Sequence, residues 1–277
     1  MSYGGVVRVS TGISELDGAL EGGVPKGSWV AITGEPGTGK SILCIHFAWA
    51  GLTSGDPVVY VTTEAEFRDV VRQARMFGMN FESYKVYDIA SKFEPSETPN
   101  IVVIDIFGLL KIARQLSESS EESGEELARR RRYAMLDIET LTAAIHEAYK
   151  ILGVLREEKA KAPYRHVRLV IDSISAFWAD KPAMARRYSY ELKIATHREN
   201  VTAYLVSQYA MTTRSTFGFG LEHIADGVFH LWMDDVERTR EVQRYMIIKK
   251  MRMTNHDRTA FKLDIVPGKG VVLEKLK

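Results

Sequence analysis

The chain has 277 residues, 45% of them hydrophobic and 26% charged, which is enough to bury one large α/β core. Its 37 basic and 36 acidic residues leave a net charge of +1. That excludes a globally basic nucleic-acid or membrane binder, so a polyanionic partner must be held by a local patch. The single cysteine, Cys44, excludes an internal disulfide or a cysteine-built metal cluster, and no apolar stretch approaches a membrane span, so a cytoplasmic protein is expected.

From the N-terminus, Val9-Ser10-Thr11-Gly12-Ile13-Ser14-Glu15-Leu16-Asp17 reads as a turn feeding a short helix capped by Ser14, with Leu16 and Leu20 on one face. Gly22-Gly23-Val24-Pro25-Lys26-Gly27 is a tight connection into a buried strand, Trp29-Val30-Ala31-Ile32-Thr33. The strand runs into Gly34-Glu35-Pro36-Gly37-Thr38-Gly39-Lys40-Ser41, a complete G-x-x-x-x-G-K-S phosphate-binding loop. Its glycines let successive backbone N–H groups converge on phosphates, Lys40 reaches the β/γ oxygens, and Ser41 holds Mg²⁺. Ile42 opens a helix that is apolar to Ala50 and stops at Gly51, and its N-terminal dipole adds to the loop's donors. Nucleotide binding by residues 34–42 is the first functional expectation.

The succession Ser10-Thr11-Gly12-Ile13, Leu16-Asp17, residues 22–27 and then the phosphate loop resembles the archaeal RadA and KaiC branch of the RecA-like ATPases. The rest of the chain can be taken with that in view. Val58-Val59-Tyr60-Val61-Thr62-Thr63 is a β-branched run ending at Glu64, and residues 67–78 form an amphipathic helix. Glu64 thus stands at a strand's C-terminal end, where α/β sheets place ligands. The resemblance implies that it polarises the water attacking the γ-phosphate; a plain helix-capping role is the alternative. KaiC-type ATPases often carry two adjacent glutamates, whereas here Ala65 follows and Glu66 comes one place later, which implies slow hydrolysis.

Two strands end in aspartate, Ile101-Val102-Val103-Ile104-Asp105 and Arg168-Leu169-Val170-Ile171-Asp172. Asp172 is favoured to orient the metal's water, because a helix and a strand ending in Ser207-Gln208 follow it and because Ile171-Asp172-Ser173 resembles the family motif. Asp105 is then an ordinary strand-end residue. A charged insertion is expected at about 91–135, with a serine- and glutamate-rich run at 117–126 and the block Arg129-Arg130-Arg131-Arg132. Residues 136–155 resume helical periodicity through Leu141, Ile145, Ala148 and Leu152, and residues 182–200 form the next helix, with Pro182 at its start.

In the resembling family a glutamine at the position of Gln208 senses the γ-phosphate. The loop after it, residues 209–222, carries Arg214, Phe217 and Phe219 among glycines and small polar residues. Such a loop can contact single-stranded DNA, and its aromatics can equally anchor it to the core or a neighbouring subunit. The last quarter reads as antiparallel strands at 226–233, 242–251, 259–266 and 271–273. Lys250-Met251-Arg252-Met253-Thr254-Asn255-His256 resembles the KaiC-type Lys-x-Arg-x-Thr-x-His segment, which implies that Lys250 and Arg252 reach the γ-phosphate of an adjacent subunit in a homo-oligomer. Glycine often stands where Met253 does.

The resemblance therefore implies a single RecA/KaiC-like domain over 1–277: a twisted, mostly parallel sheet between helices, with antiparallel strands at the C-terminal edge. The activity it implies is Mg-dependent ATP hydrolysis by an archaeal RadA paralogue, in DNA recombination or repair with single-stranded DNA binding. The alternative is a KaiC-like nucleotide-switched regulator. Recombinase or regulatory proteins are the expected protein partners, and no membrane partner is expected.

Overall fold

The computed structural model describes residues 5–91, 93–118, 132–154, 166–177, 184–208, 220–234 and 240–277. Ten strands make the main sheet. They are β3 (Trp29–Gly34), β4 (Val58–Thr62), β5 (Val86–Asp88), β6 (Ile101–Asp105), β7 (Val167–Asp172), β8 (Val201–Gln208), β9 (Gly227–Met233), β10 (Arg244–Met251), β11 (Phe261–Val266) and β12 (Gly270–Lys275). Their order is β12-β11-β10-β9-β3-β8-β7-β4-β6-β5. A separate antiparallel pair, β1 (Arg8–Val9) with β2 (Val24–Pro25), folds the N-terminal segment back before β3.

The central strands are apolar on both faces because helices cover both. Val30 and Ile32 of β3 face one core, and Trp29 and Ala31 face the other. The first core receives α1 (Ser14–Ala19), α2 (Lys40–Thr53) and α3 (Phe67–Met76); the second receives α4 (Ile106–Glu118), α5 (Ile138–Ile151) and α6 (Ala185–Thr196). Such all-apolar strands are the signature of a buried parallel sheet. Each fully buried Val, Leu or Ile contributes about 1.5–3 kcal/mol relative to exposure. Among the described residues no helix is long and apolar enough to cross a membrane.

Several local expectations are corrected. Ser14 is the first residue of α1 and not its cap; Ile13 holds the cap position, and the Ser14 hydroxyl donates to Glu15. Helix α2 does not stop at Gly51 but runs to Thr53. Gly51 is there because the Arg168 side chain crosses its Cα, and a Cβ would overlap that side chain. Residues 101–118 are no insertion, since β6 is a core strand between β4 and β5 and α4 follows it directly. The charged run at 119–131 lies outside the described residues. Of the four C-terminal strands, β9 is antiparallel only to β10 and pairs in parallel with β3. Pro182, the expected helix start, also lies outside the described residues, and α6 begins at Ala185.

Candidate nucleotide-binding site

The parallel strands all point their C-terminal ends at one edge of the sheet, and the residues expected from the motifs gather there. Gly34 ends β3 with its Cα against the Leu231 carbonyl of β9, leaving no room for a Cβ, and its φ of 148° suits glycine. The loop then turns into α2, with the Thr38 hydroxyl donating to Glu35 O at 2.8 Å. A cleft of about 370 Å³ opens beside it, lined by Gly37, Gly39, Lys40, Ser41 and Ile42, with Glu64, Asp172 and Gln208 opposite and Gln73 and Ile265 at its sides.

Lys40 is buried, and its ammonium donates to Gly34 O at 3.0 Å and Glu35 O at 2.6 Å. Burial lowers its pKa to about 8 against the opposing pull of Asp172 and Glu64. Burial raises Asp172 to about 6, although the Ser41 hydroxyl hydrogen-bonds its carboxylate. An oxygen pair of hydroxyl and carboxylate suits a hard octahedral cation that keeps most of its waters, so Ser41 and Asp172 fit Mg²⁺.

The two candidate aspartates stand at the same level, since Thr62 of β4 pairs with Asp172 on one side and Asp105 on the other. Strand order separates them. β7 is two strands from β3 and β6 is four, about 10 and 19 Å at the usual strand spacing. Only Asp172 lines the cleft. Asp105 instead accepts from Phe67 N at 2.8 Å and Gly108 N at 2.7 Å, capping the starts of α3 and α4.

Glu64 is exposed to solvent, and both its oxygens accept hydrogen bonds, Oε1 from Ser173 Oγ at 2.7 Å and Oε2 from Gln208 Nε2 at 2.5 Å. It does not cap α3; Glu66 holds that position, bound to Lys111 and Arg68 on the outer surface, and so does not stand in for a second glutamate in the cleft. The ends of β4 and β7 are laced together by Thr63 N to Asp172 O and by Thr63 Oγ1, which donates to Ser173 O and accepts from Ser173 N, all at 2.9 Å. The Ser175 hydroxyl accepts from Gln208 N at 2.7 Å. Ser173 belongs to the strand-end motif and Ser175 follows two residues later; hydroxyls close after an aspartate are their only signal in the sequence. Gln73 and Ile265 carried none.

Lys250 and Arg252 lie far from this cleft. Arg244, at the start of β10, is beside the phosphate loop, and Lys250 is six residues further along, about 20 Å at strand rise. Lys250 Nζ donates to Glu222 O at 3.1 Å and Ala225 O at 2.6 Å, closing the end of the short helix α7 (Leu221–Ile224). Arg252 donates to Asp226 Oδ1 at 3.2 Å and is 55% exposed. Met253 takes φ 61°, in the left-handed region that favours glycine. Arg214, Phe217 and Phe219 lie outside the described residues.

The family model described as "ATPase: KaiC" matches residues 9–277, nearly the whole chain. The chain belongs to this KaiC ATPase family. Relatives include UPF0273 proteins of Methanopyrus kandleri, 34% identical over 91% of this chain and 86% of the relative, and of Thermotoga maritima, 31% identical over 97% and 96%. A KaiC-like protein from Pyrococcus horikoshii, known from its crystal structure, superposes with a TM-score of 0.66 at 27% identity, covering 97% of this chain and 99% of that one. The α/β fold with its mostly parallel sheet and antiparallel C-terminal strands is therefore that of a KaiC-like, RecA-fold ATPase.

Proposed function

We propose that this KaiC-like protein is a Mg-dependent ATPase whose nucleotide state is read by Gln208, with each active site completed by a second copy of the chain. The observation that carries the reading is the joining of Glu64 and Gln208, which puts the water-polarising carboxylate and the phosphate-sensing amide in one hydrogen bond. Turning the amide to the phosphate takes it off Glu64. That movement frees one carboxylate oxygen to accept a proton from the attacking water. Lys40 leaves its two loop carbonyls for phosphate oxygens, and Ser173 keeps Glu64 aimed through its other oxygen. Mg²⁺ held at Ser41 and Asp172 would neutralise charge on the phosphates. Lys250 and Arg252, too distant for their own cleft, serve the phosphates of the adjacent subunit, as fingers supplied in trans do.

The test is steady-state Mg-ATP hydrolysis by wild type, Glu64→Gln, Arg252→Ala and an equimolar mixture of the two variants. Each variant alone is expected to lose about 100-fold or more. The mixture regains activity, because some sites join an intact Glu64 to an intact Arg252. A mixture no better than its components removes the trans assignment, and a fully active Glu64→Gln removes the catalytic one. Adding single-stranded DNA separates the two uses of such an engine. A rate that responds to DNA supports recombination or repair and the RadA-like reading; an indifferent rate leaves a switch that acts on proteins.

A further inference from the structure

The phosphate loop is also held by a residue that no motif singles out. Arg244 opens β10, and its Nε donates to Gly37 O at 2.9 Å. Gly37 lines the cleft and Arg244 does not, so the guanidinium reaches the loop through this one carbonyl. The neighbouring strand β11 backs the same loop, with Leu263 and Ile265 side chains at 3.5 and 3.6 Å from where a Gly39 Cβ would stand. A trans peptide directs its C=O and the following N–H to opposite sides. With Gly37 O turned to Arg244, the Thr38 N–H of the same peptide is directed away from Arg244.

We propose that Arg244 is a positioning residue of the nucleotide site, which pre-orients the Gly37–Thr38 peptide so that the loop presents its amide to the phosphates before they arrive. This rests on the nucleotide-binding reading above. It concerns the part of the loop that ADP and ATP share, so both nucleotides depend on it alike. A direct contact of Arg244 with the γ-phosphate would favour ATP alone. The role needs a donor directed at one carbonyl, which glutamine or lysine can partly supply and alanine cannot.

The experiment is calorimetric titration of the full chain with ADP and with ATP in the presence of Mg²⁺, for wild type, Arg244→Ala and Arg244→Gln, beside ATP-hydrolysis kinetics. Arg244→Ala should weaken both nucleotides by about tenfold, the scale of one charge-assisted hydrogen bond. Its KM for ATP should rise by a similar factor while kcat falls less, and Arg244→Gln should recover part of the loss. Wild-type affinity for ADP in Arg244→Ala overturns the proposal, as does a loss confined to ATP. Should Arg244→Ala not fold, Arg244→Gln decides alone: an affinity between wild type and a tenfold loss, equal for both nucleotides, supports the role, and any other result rejects it. A wild type that binds neither nucleotide rejects the underlying nucleotide reading instead.

Discussion

The two edges of the parallel sheet both carry buried charge, and they treat it in opposite ways. At the edge where the strands begin, Arg168 donates to Ser10 O, Phe47 O and Asp56, lies over the Phe47 ring, and shares Asp56 with His166, which continues to Thr202 and Gly27. Burial pulls the Asp56 pKa up, yet the His166 hydrogen bond and the Arg168 charge hold it below the usual carboxylate value. At the edge where the strands end, Asp172 is pushed up to about 6 and Lys40 down to about 8. The first edge satisfies its ions internally. The second leaves its carboxylate and ammonium short of compensation, which phosphate and metal would supply in the proposed ATPase.

Breaking the closed edge should cost most. Arg168→Ala removes one partner of a buried ion pair, leaves Asp56 to His166 alone and strands two backbone carbonyls, so a loss of about 3 kcal/mol of unfolding free energy is expected in urea titrations. A loss under 1 kcal/mol would mean that the network is ornamental.

Next comes His46 of α2, which joins the N-terminal segment and β12 through Nδ1 to Gly12 O at 3.2 Å and Nε2, which accepts from Val271 N at 2.9 Å. Accepting at Nε2 requires the neutral ring, and burial lowers its pKa from the ordinary 6.5. The folded value lies below the unfolded one, so the unfolded chain takes up the proton first as the medium is acidified. Stability from this residue is complete above about pH 6.5 and is lost below it, by at most about 1.4 kcal/mol per pH unit. Across pH 7.5 to 5, where Asp172 adds stability with acid, wild type should lose stability relative to His46→Gln, whose side-chain oxygen still accepts from Val271. Equal slopes would place the titration elsewhere.

Much of the open edge was legible because its chemistry is written in contiguous residues. The loop at 34–41 lies between β3 and α2 as its flanking apolar runs require, Asp172 and Gln208 end strands that the pattern of β-branched residues marks out, and Glu64 stands two residues beyond the end of β4. The closed edge was not legible. Arg168 meets Ser10, Phe47 and Asp56 only through tertiary contact, and Gly51 reads as a helix stop until the side chain packed on it is seen. Strand order itself is not written in the sequence: Asp105 and Asp172 end equivalent apolar runs, the residues that follow favour Asp172, and the two extra strands between β6 and the phosphate loop give the spatial reason. Arg244 was hidden for the same reason, being an ordinary strand residue until β10 folds against Gly37.

The contrast between the edges is tested most directly by the unfolding free energy of wild type and Asp172→Asn at pH 7.5, each with and without Mg-ATP. Without nucleotide the variant should be the more stable by about 1 kcal/mol, because a poorly compensated buried charge has gone. With Mg-ATP the order should reverse, since the variant keeps only Ser41 for the metal and gains less of the linkage stabilisation. A wild type already more stable without nucleotide, or Mg-ATP stabilising both proteins equally, would contradict the account.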